Sequence, residues 1–285
     1  MQYQVMNLTA WITSLFPFTV NVSGKKHDLI CRVGRILSGV PASVRHRGAE
    51  VQLKNHPSAA IIGYAPKNFY NDFYFSELGK LLSLELKQGE VFVDVGANLG
   101  GYSFLASRLG AEVHLFEPFP ELYSFLKENE SVLGKVYPIA LSDKESISVF
   151  HISDHNIGGS SLVDSNLNNA MSGYTRDVQV QTNKGDEVLK NIPFIHWLKI
   201  DVEGNEEAVT MGFEEMLRSK RIGNVWCEVR GPQSDRNANS YLKVCALMQS
   251  HGYSCYRVMQ GKAEIFNFTQ PQAVPQYFDL LFKAK

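Results

Sequence analysis

The sequence predicts an α/β fold: a mostly parallel, seven-stranded sheet with helices on both faces and a C-terminal antiparallel hairpin. Three observations predict it. An apolar run, Val91-Phe-Val-Asp-Val95, leads through the glycine-rich turn Gly96-Ala-Asn-Leu-Gly-Gly101 into a helical stretch from Tyr102 to Leu109. A second strand, Glu112-Val-His-Leu-Phe116, follows and stops at Glu117-Pro118. A third buried strand, from Trp197, runs into Asp201-Val-Glu-Gly204 and then a helix.

Taken in order, residues 1–70 read as an N-terminal extension for docking, substrate or dimer contacts, and residues 71–285 as the main domain. Leu8 to Val20 is moderately apolar, with Pro17 inside it and no positive charge ahead of it, so it reads as a docking helix rather than a signal peptide. Lys25 to Arg47 is biased to basic residues, usually the mark of a solvated face. Glu50 to Leu53 and Ala59 to Tyr64 read as short strands. From Tyr70 to Leu86, apolar residues at Phe73, Leu78, Leu81, Leu82 and Leu86 recur at helical spacing. Glu77 on that helix can reach the glycine turn.

Pro120 opens a helix to Glu130, since a proline in the first turn removes an amide that has no helical partner anyway. Val136 to Ala140 is the expected third strand, ended by Leu141-Ser-Asp143. Ile147–Ile152 and Val178–Thr182 are further strands, and the Asn-, Ser- and Gly-rich stretch 156–172 between them reads as a lid or substrate-binding loop. Residues 184–191 make a short helix, 205–217 a longer one, Ile222 to Arg230 a strand, and Asn239 to His251 a helix. Tyr253–Val258 and Tyr277–Phe282 close the sheet as a hairpin.

Composition sets outer limits. The 28 basic and 29 acidic residues leave a net charge of −1, which gives no general attraction to nucleic acid or to an anionic membrane. No stretch approaches the roughly 18 apolar residues of a membrane span, and the chain reads as cytoplasmic. The four cysteines form no C-x-x-C pair and read as buried thiols. A homo-oligomer stays open.

The glycine turn carries the chemistry. A dinucleotide loop needs a second glycine where the pyrophosphate approaches. Asn98 stands at that place, and Asp94, two positions before the first glycine, would repel phosphate but suit a cationic amino group. Glu117 is placed to accept hydrogen bonds from the two hydroxyls of a ribose. Strand-end loops line the ligand crevice of open α/β sheets, which brings Ala140, Ser142 and Asp143 toward an adenine. An adenosine that carries an amino acid and no phosphate is S-adenosylmethionine. Side chains two apart on a strand share a face, so Lys199, Asp201 and Glu203 can point one way, with Glu228 ending the neighbouring strand.

Asp94-Val-Gly-Ala-Asn-Leu-Gly100, Phe116-Glu-Pro118, Ala140-Leu-Ser-Asp143 and Lys199-Ile-Asp-Val-Glu-Gly-Asn-Glu206 together resemble the FkbM family of S-adenosylmethionine-dependent methyltransferases, over about Glu77 to Arg230. The resemblance implies a Rossmann-like class I methyltransferase fold. It implies that Asp94, Gly96, Ala97, Asn98 and Gly100 hold the methionine part of the cofactor, Glu117 and Pro118 the ribose, and Ala140, Ser142 and Asp143 the adenine. It also implies O-methylation of a sugar, glycan or related natural product. Two departures stand out: Gly185 replaces the leucine of a common Thr-Leu-Asp pattern, and Arg230 replaces a histidine, which would bias the site toward an anionic or heavily hydroxylated acceptor.

Asp201 is the expected base and also borders the cofactor, with Glu228 and Lys199 beside it as further catalytic candidates. Asp201, Glu203 and Glu228 could alternatively hold a divalent cation such as Mg2+ against two vicinal hydroxyls. The competing readings are a non-catalytic cofactor-binding subunit and a dinucleotide-dependent oxidoreductase.

Overall fold

The computed structural model describes residues 43–46, 49–52, 73–153, 157–164, 175–232, 239–259, 262–269 and 274–285. The expected docking helix at Leu8 to Val20, the strand at Ala59 to Tyr64, most of the basic segment and residues 156 and 165–172 of the expected lid lie outside these residues. Among the described residues, no helix is long and apolar enough to cross a membrane.

Two short strands, β1 (Ser43–His46) and β2 (Ala49–Gln52), pair antiparallel ahead of the domain. Asn129 ties β2 to it: its Oδ1 accepts from the Gln52 amide at 2.7 Å, and its Nδ2 donates to the Gln52 carbonyl at 3.0 Å. Helix α1 (Glu77–Glu85) is capped by Ser76, whose hydroxyl accepts from the Gly79 amide. Then follow β3 (Val91–Val95), α2 (Gly101–Arg108), β4 (Glu112–Phe116), α3 (Pro120–Glu128), α4 (Glu130–Leu133) and β5 (Lys135–Tyr137). Strands β6 (Ala140–Leu141), β7 (Ser146–Ile152) and β8 (Arg176–Asn183) form a separate sheet in the order β6-β8-β7. The chain continues through α5 (Gly185–Val188), β9 (Ile195–Ile200), α6 (Glu206–Gly212), α7 (Glu214–Arg218), β10 (Ile222–Arg230), α8 (Ser240–Ser250), β11 (Tyr253–Met259), β12 (Lys262–Ile265) and β13 (Tyr277–Ala284).

The main sheet has the order β12-β11-β13-β10-β9-β3-β4-β5. Strands β10, β9, β3, β4 and β5 run parallel, while β13 runs antiparallel between β10 and β11. It is the expected α/β sheet, mostly parallel with C-terminal antiparallel strands. The closing pair is not a plain edge hairpin, because β13 inserts beside β10 and β12 adds an eighth strand outside β11.

Each face of the sheet buries its own core. Phe92, Trp197, Trp226 and Leu281 pack with α1, α2 and α3, and Val93, Leu198, Val225 and Leu280 pack with α6 and α8. Strand residues alternate between the faces. Asp94, Lys199, Glu228 and Asp279 therefore fall on the first face, in line with Phe92, Trp197, Trp226 and Leu281.

Two expected elements differ. The third strand stops at Tyr137, because Pro138 has no amide to continue the ladder; Ala140 and Leu141 cross instead to pair with Thr182 and Asn183 of β8. The helix expected over 205–217 is two helices, broken after Gly212, where a Cβ would sit 2.2 Å from the Ser142 carbonyl oxygen.

Gly185, the departure from the leucine pattern, has a packing reason. A Cβ there would lie 2.3 Å from the ring of the fully buried Phe213. The larger aromatic fills the space a leucine would take. Gly185→Leu is expected to cost about 1–3 kcal/mol through overpacking, and adding Phe213→Ala should recover part of that loss. Urea melts of the four chains of the cycle test this; strictly additive costs would refute it.

Candidate functional site

The glycine turn follows β3 in a conformation that side chains resist. Gly96 has φ +76° and Gly100 φ +74°, while Asn98 takes φ +53°, a region asparagine tolerates better than most residues. The glycines answer to neighbours inside the protein. A Cβ on Gly96 would lie 1.9 Å from the Asp201 carbonyl oxygen, and one on Gly100 would meet Leu126 and Leu133. The turn is thus seated on the end of β9, and the Asp201 amide donates to the Val95 carbonyl at 3.1 Å.

Glu117 closes the other side. It is 5% exposed, and both its oxygens are held: Oε2 accepts from the Asn98 amide at 2.8 Å and Oε1 from the Phe119 amide at 2.9 Å. Burial pushes its carboxyl up to about 7, even though those two amides pull the other way. Each oxygen keeps a second lone pair for a hydroxyl donor.

Asp94 lies on β3 ahead of the turn, as its place in the sequence predicts. Its carboxylate is wholly buried. Oδ2 accepts from the Ser103 hydroxyl at 2.7 Å, and Oδ1 lies 3.2 Å from Lys199 Nζ. Both oxygens of this carboxylate are thus met from within the protein. Lys199 is the partner, because β3 and β9 pair Asp94 directly with Lys199. Its Nζ also donates to the Gly96 carbonyl at 2.7 Å and lies 3.4 Å from Asp201 Oδ2. Only 5% of the Lys199 side chain is exposed, and its charge is spent on these internal partners. Burial lowers its ammonium's pKa, but Asp94 and Asp201 raise it more, so it stays charged.

Asp201, one-third exposed, is the part of this chain of charges that faces outward. Beside it, Asp201, Glu203 and Glu228 each offer a carboxylate oxygen, and these lie within 4.8 Å of one another. Glu203 is past the end of β9 and reaches the group from a left-handed conformation, φ +60°. Two contacts hold it there. Its carbonyl accepts from the Ser161 hydroxyl at 2.8 Å, and its carboxylate pairs with Arg230. Arg230 is itself buried, 4.7 Å over the Tyr277 ring. Its charge is therefore already met by Glu203.

Burial, with Asp201, Asp279 and Glu203 adding repulsion, lifts Glu228 to about 8. Asp279, its partner across β10 and β13, is lifted to about 6 by burial and Asp201, although Trp226 Nε1 donates to it at 3.1 Å. Glu206 accepts from the Gly204 amide at 2.8 Å and is raised by burial to about 7.

The remaining expected residues divide. Ala97 is buried within the turn, its amide bonded to the Phe116 carbonyl, and Pro118 lies between Glu117 and the Phe119 amide that Glu117 holds. Glu77 pairs with Lys80 at 3.2 Å in the first turn of α1, next to Ser76, which reaches the Tyr102 hydroxyl. Ala140, Ser142 and Asp143 sit on the smaller sheet, with Ser142 held by the Asn183 carbonyl and lying against Gly212, and not at a main-sheet strand tip. Asp279 and Ser161 escaped sequence reasoning, since only strand pairing and loop folding bring them here. Ser103 carried a signal: a hydroxyl in the first turn of the helix that follows the aspartate's strand.

A family model described as the methyltransferase FkbM domain matches residues 94–255, more than half of the chain. The chain is 28% identical to 31-O-demethyl-FK506 methyltransferase FkbM of Streptomyces tacrolimicus, over 72% of this chain and 88% of that protein. It is 30% identical to hexuronic acid methyltransferase AglP of Haloferax volcanii, over 49% of this chain and 56% of that protein. Among solved structures, it is similar to magnesium protoporphyrin IX methyltransferase from Synechocystis PCC 6803, at TM-score 0.42 and 9% identity, covering 93% of this chain and 100% of that one. A likeness of that size carries no argument.

The raised carboxyls have a consequence for stability. Glu117, Glu206, Glu228 and Asp279 all hold protons more tightly folded than unfolded. That stabilisation is complete below the ordinary carboxylate range and is lost as pH rises through about 6 to 8. The melting temperature should fall between pH about 5.5 and about 8.5 at fixed ionic strength, and Glu228→Gln should flatten the slope. A melting temperature that rises over this window would contradict the cluster's geometry.

Proposed function

The chain belongs to the methyltransferase FkbM family, and from that premise we propose that it is an S-adenosylmethionine-dependent O-methyltransferase. Its acceptor is a hydroxyl of a sugar, glycan or related natural product. The names of the two relatives, one a methyltransferase of an O-demethyl compound and one of a hexuronic acid, support an oxygen acceptor of this kind.

One observation carries the reading: the outward-facing carboxylate of Asp201 is joined by a single lysine to the turn that would seat the cofactor. When bound, S-adenosylmethionine supplies a methyl carbon on a positive sulfonium, whose C–S bond breaks to leave a neutral thioether as the C–O bond forms. The backbone of Gly96, Ala97, Asn98 and Gly100 shapes the cradle for the methionine part. Glu117 accepts from the ribose hydroxyls. Asp201 takes the acceptor's proton as its oxygen attacks, and positioning of the acceptor in line can contribute about 7–11 kcal/mol. Glu228, held largely protonated at neutral pH, hydrogen-bonds the acceptor and is the second candidate for handling its proton. Asp94 acts only through its neighbours.

A second reading has its own support. The spacing of Asp201, Glu203 and Glu228 suits a divalent cation that grips two vicinal hydroxyls. Under the base reading a chelator leaves turnover unchanged; under the cation reading turnover is lost and Mg2+ restores it.

A screen of saccharide acceptors for release of S-adenosylhomocysteine tests the proposal. Asp201→Asn is expected to lower kcat by about 10²–10⁴ while S-adenosylhomocysteine binds within about threefold of wild type. A variant with full turnover would remove Asp201 as the base. Glu117 must be ionised to accept two hydroxyls, and its carboxyl sits at about 7, so cofactor affinity should rise with pH through neutrality. Glu117→Gln should weaken binding about tenfold or more and abolish that pH dependence. Calorimetry with an unchanged pH slope in the variant would assign the effect to another group.

A further inference from the structure

We propose that Lys199 is a positioning residue that couples the cofactor turn to the acceptor base, so that the seating of one fixes the placement of the other. The inference rests on the reading of Asp201 as the base. Three polar contacts define it: the Gly96 carbonyl at 2.7 Å, Asp94 Oδ1 at 3.2 Å and Asp201 Oδ2 at 3.4 Å. The Tyr102 ring closes the fourth side at 5.8 Å.

These contacts belong to separate parts of the chain. Asp94 lies on β3 and Gly96 in the turn after it, and Asp201 lies just past β9. The ammonium is buried, so it has no water shell to fall back on and needs every one of these partners. A shift of the Gly96 carbonyl therefore moves Nζ, and Nζ carries Asp201 with it. Asp94 is the anchor of the device: Ser103 fixes one of its oxygens, and the other aims the lysine. Of the other charges that face Lys199, Glu117, Glu228 and Asp279 feel it more weakly, as its charge lowers the pKa of each.

Lys199→Met alone would strand the buried Asp94 charge and can fail to fold. The test is therefore Lys199→Met with Asp94→Asn, a neutral pair of similar shape that keeps the Ser103 hydrogen bond, beside Asp94→Asn alone and wild type. The full-length double variant is expected to melt within a few degrees of wild type. Its affinity for S-adenosylhomocysteine should fall about tenfold. Its kcat at saturating cofactor should fall at least about 100-fold, the scale of a displacement of about 1 Å, and the acid limb of its pH–kcat profile should move to higher pH. A folded double variant whose affinity and kcat both stay within twofold of wild type overturns the proposal, as does a change in either without the other. Wild type that binds S-adenosylhomocysteine but methylates no acceptor defeats the reading of Asp201 as base, and the affinity arm still decides whether Lys199 fixes the turn.

Discussion

A buried ammonium between two carboxylates sets the geometry of this protein. Taking Lys199, Asp94 and part of Asp201 out of water is costly, and their mutual attraction offsets that cost only when the distances are held. The parallel pairing of β3 with β9 holds them, because it sets Asp94 and Lys199 side by side on the same face. The glycine turn, the end of β9 and the acids beyond it are consequences of that register. A slip of one residue between the strands would turn one partner into the opposite core and leave the other unpaired.

From this pair the site spreads along the sheet. Alternation places Glu228 and Asp279 on the same face as Asp94 and Lys199, so carboxylates converge there, with Asp201 one-third exposed. The crowding has a physical cost, visible in the upward shifts of Glu228 and Asp279. Glu203 adds a left-handed backbone to it. Strain of this kind persists where the surroundings over-determine it, and here Arg230 and Ser161 supply the restraint. Among the described residues, Lys199 and Arg230 are thus both engaged by carboxylates of this cluster.

Much of this was legible in the sequence because it is local. The turn, Glu117 and the Asp201-Val-Glu-Gly204 run are each defined by short spacings, and the two-residue period of strands foretells that Lys199 and Asp201 share a face. Asp94 reads as a ligand group because the strand that supplies its lysine, β9, lies far along the chain and only sheet pairing brings the two together. The third strand is shorter than its apolar pattern predicts because Pro138, which has no amide to donate, ends the ladder at Tyr137. Asp279 lies far along the chain from Glu228 and meets it only because β13 inserts beside β10, an event that no local pattern encodes. Within the stretch 156–172, Ser161 meets the Glu203 carbonyl, a contact that loop folding makes and no local pattern encodes.

The central claim is that the turn after β3 and the carboxylate of Glu117 hold one nucleoside between them, with Asp201 facing its reactive end. A crystal structure of the full chain with S-adenosylhomocysteine tests it most directly. The account predicts ribose hydroxyls within hydrogen-bond distance of Glu117, the amino-acid part along the backbone of residues 96–100, and Asp201 as the nearest carboxylate to the sulfur. A nucleoside bound away from Glu117, or a sulfur that faces away from Asp201, would contradict it.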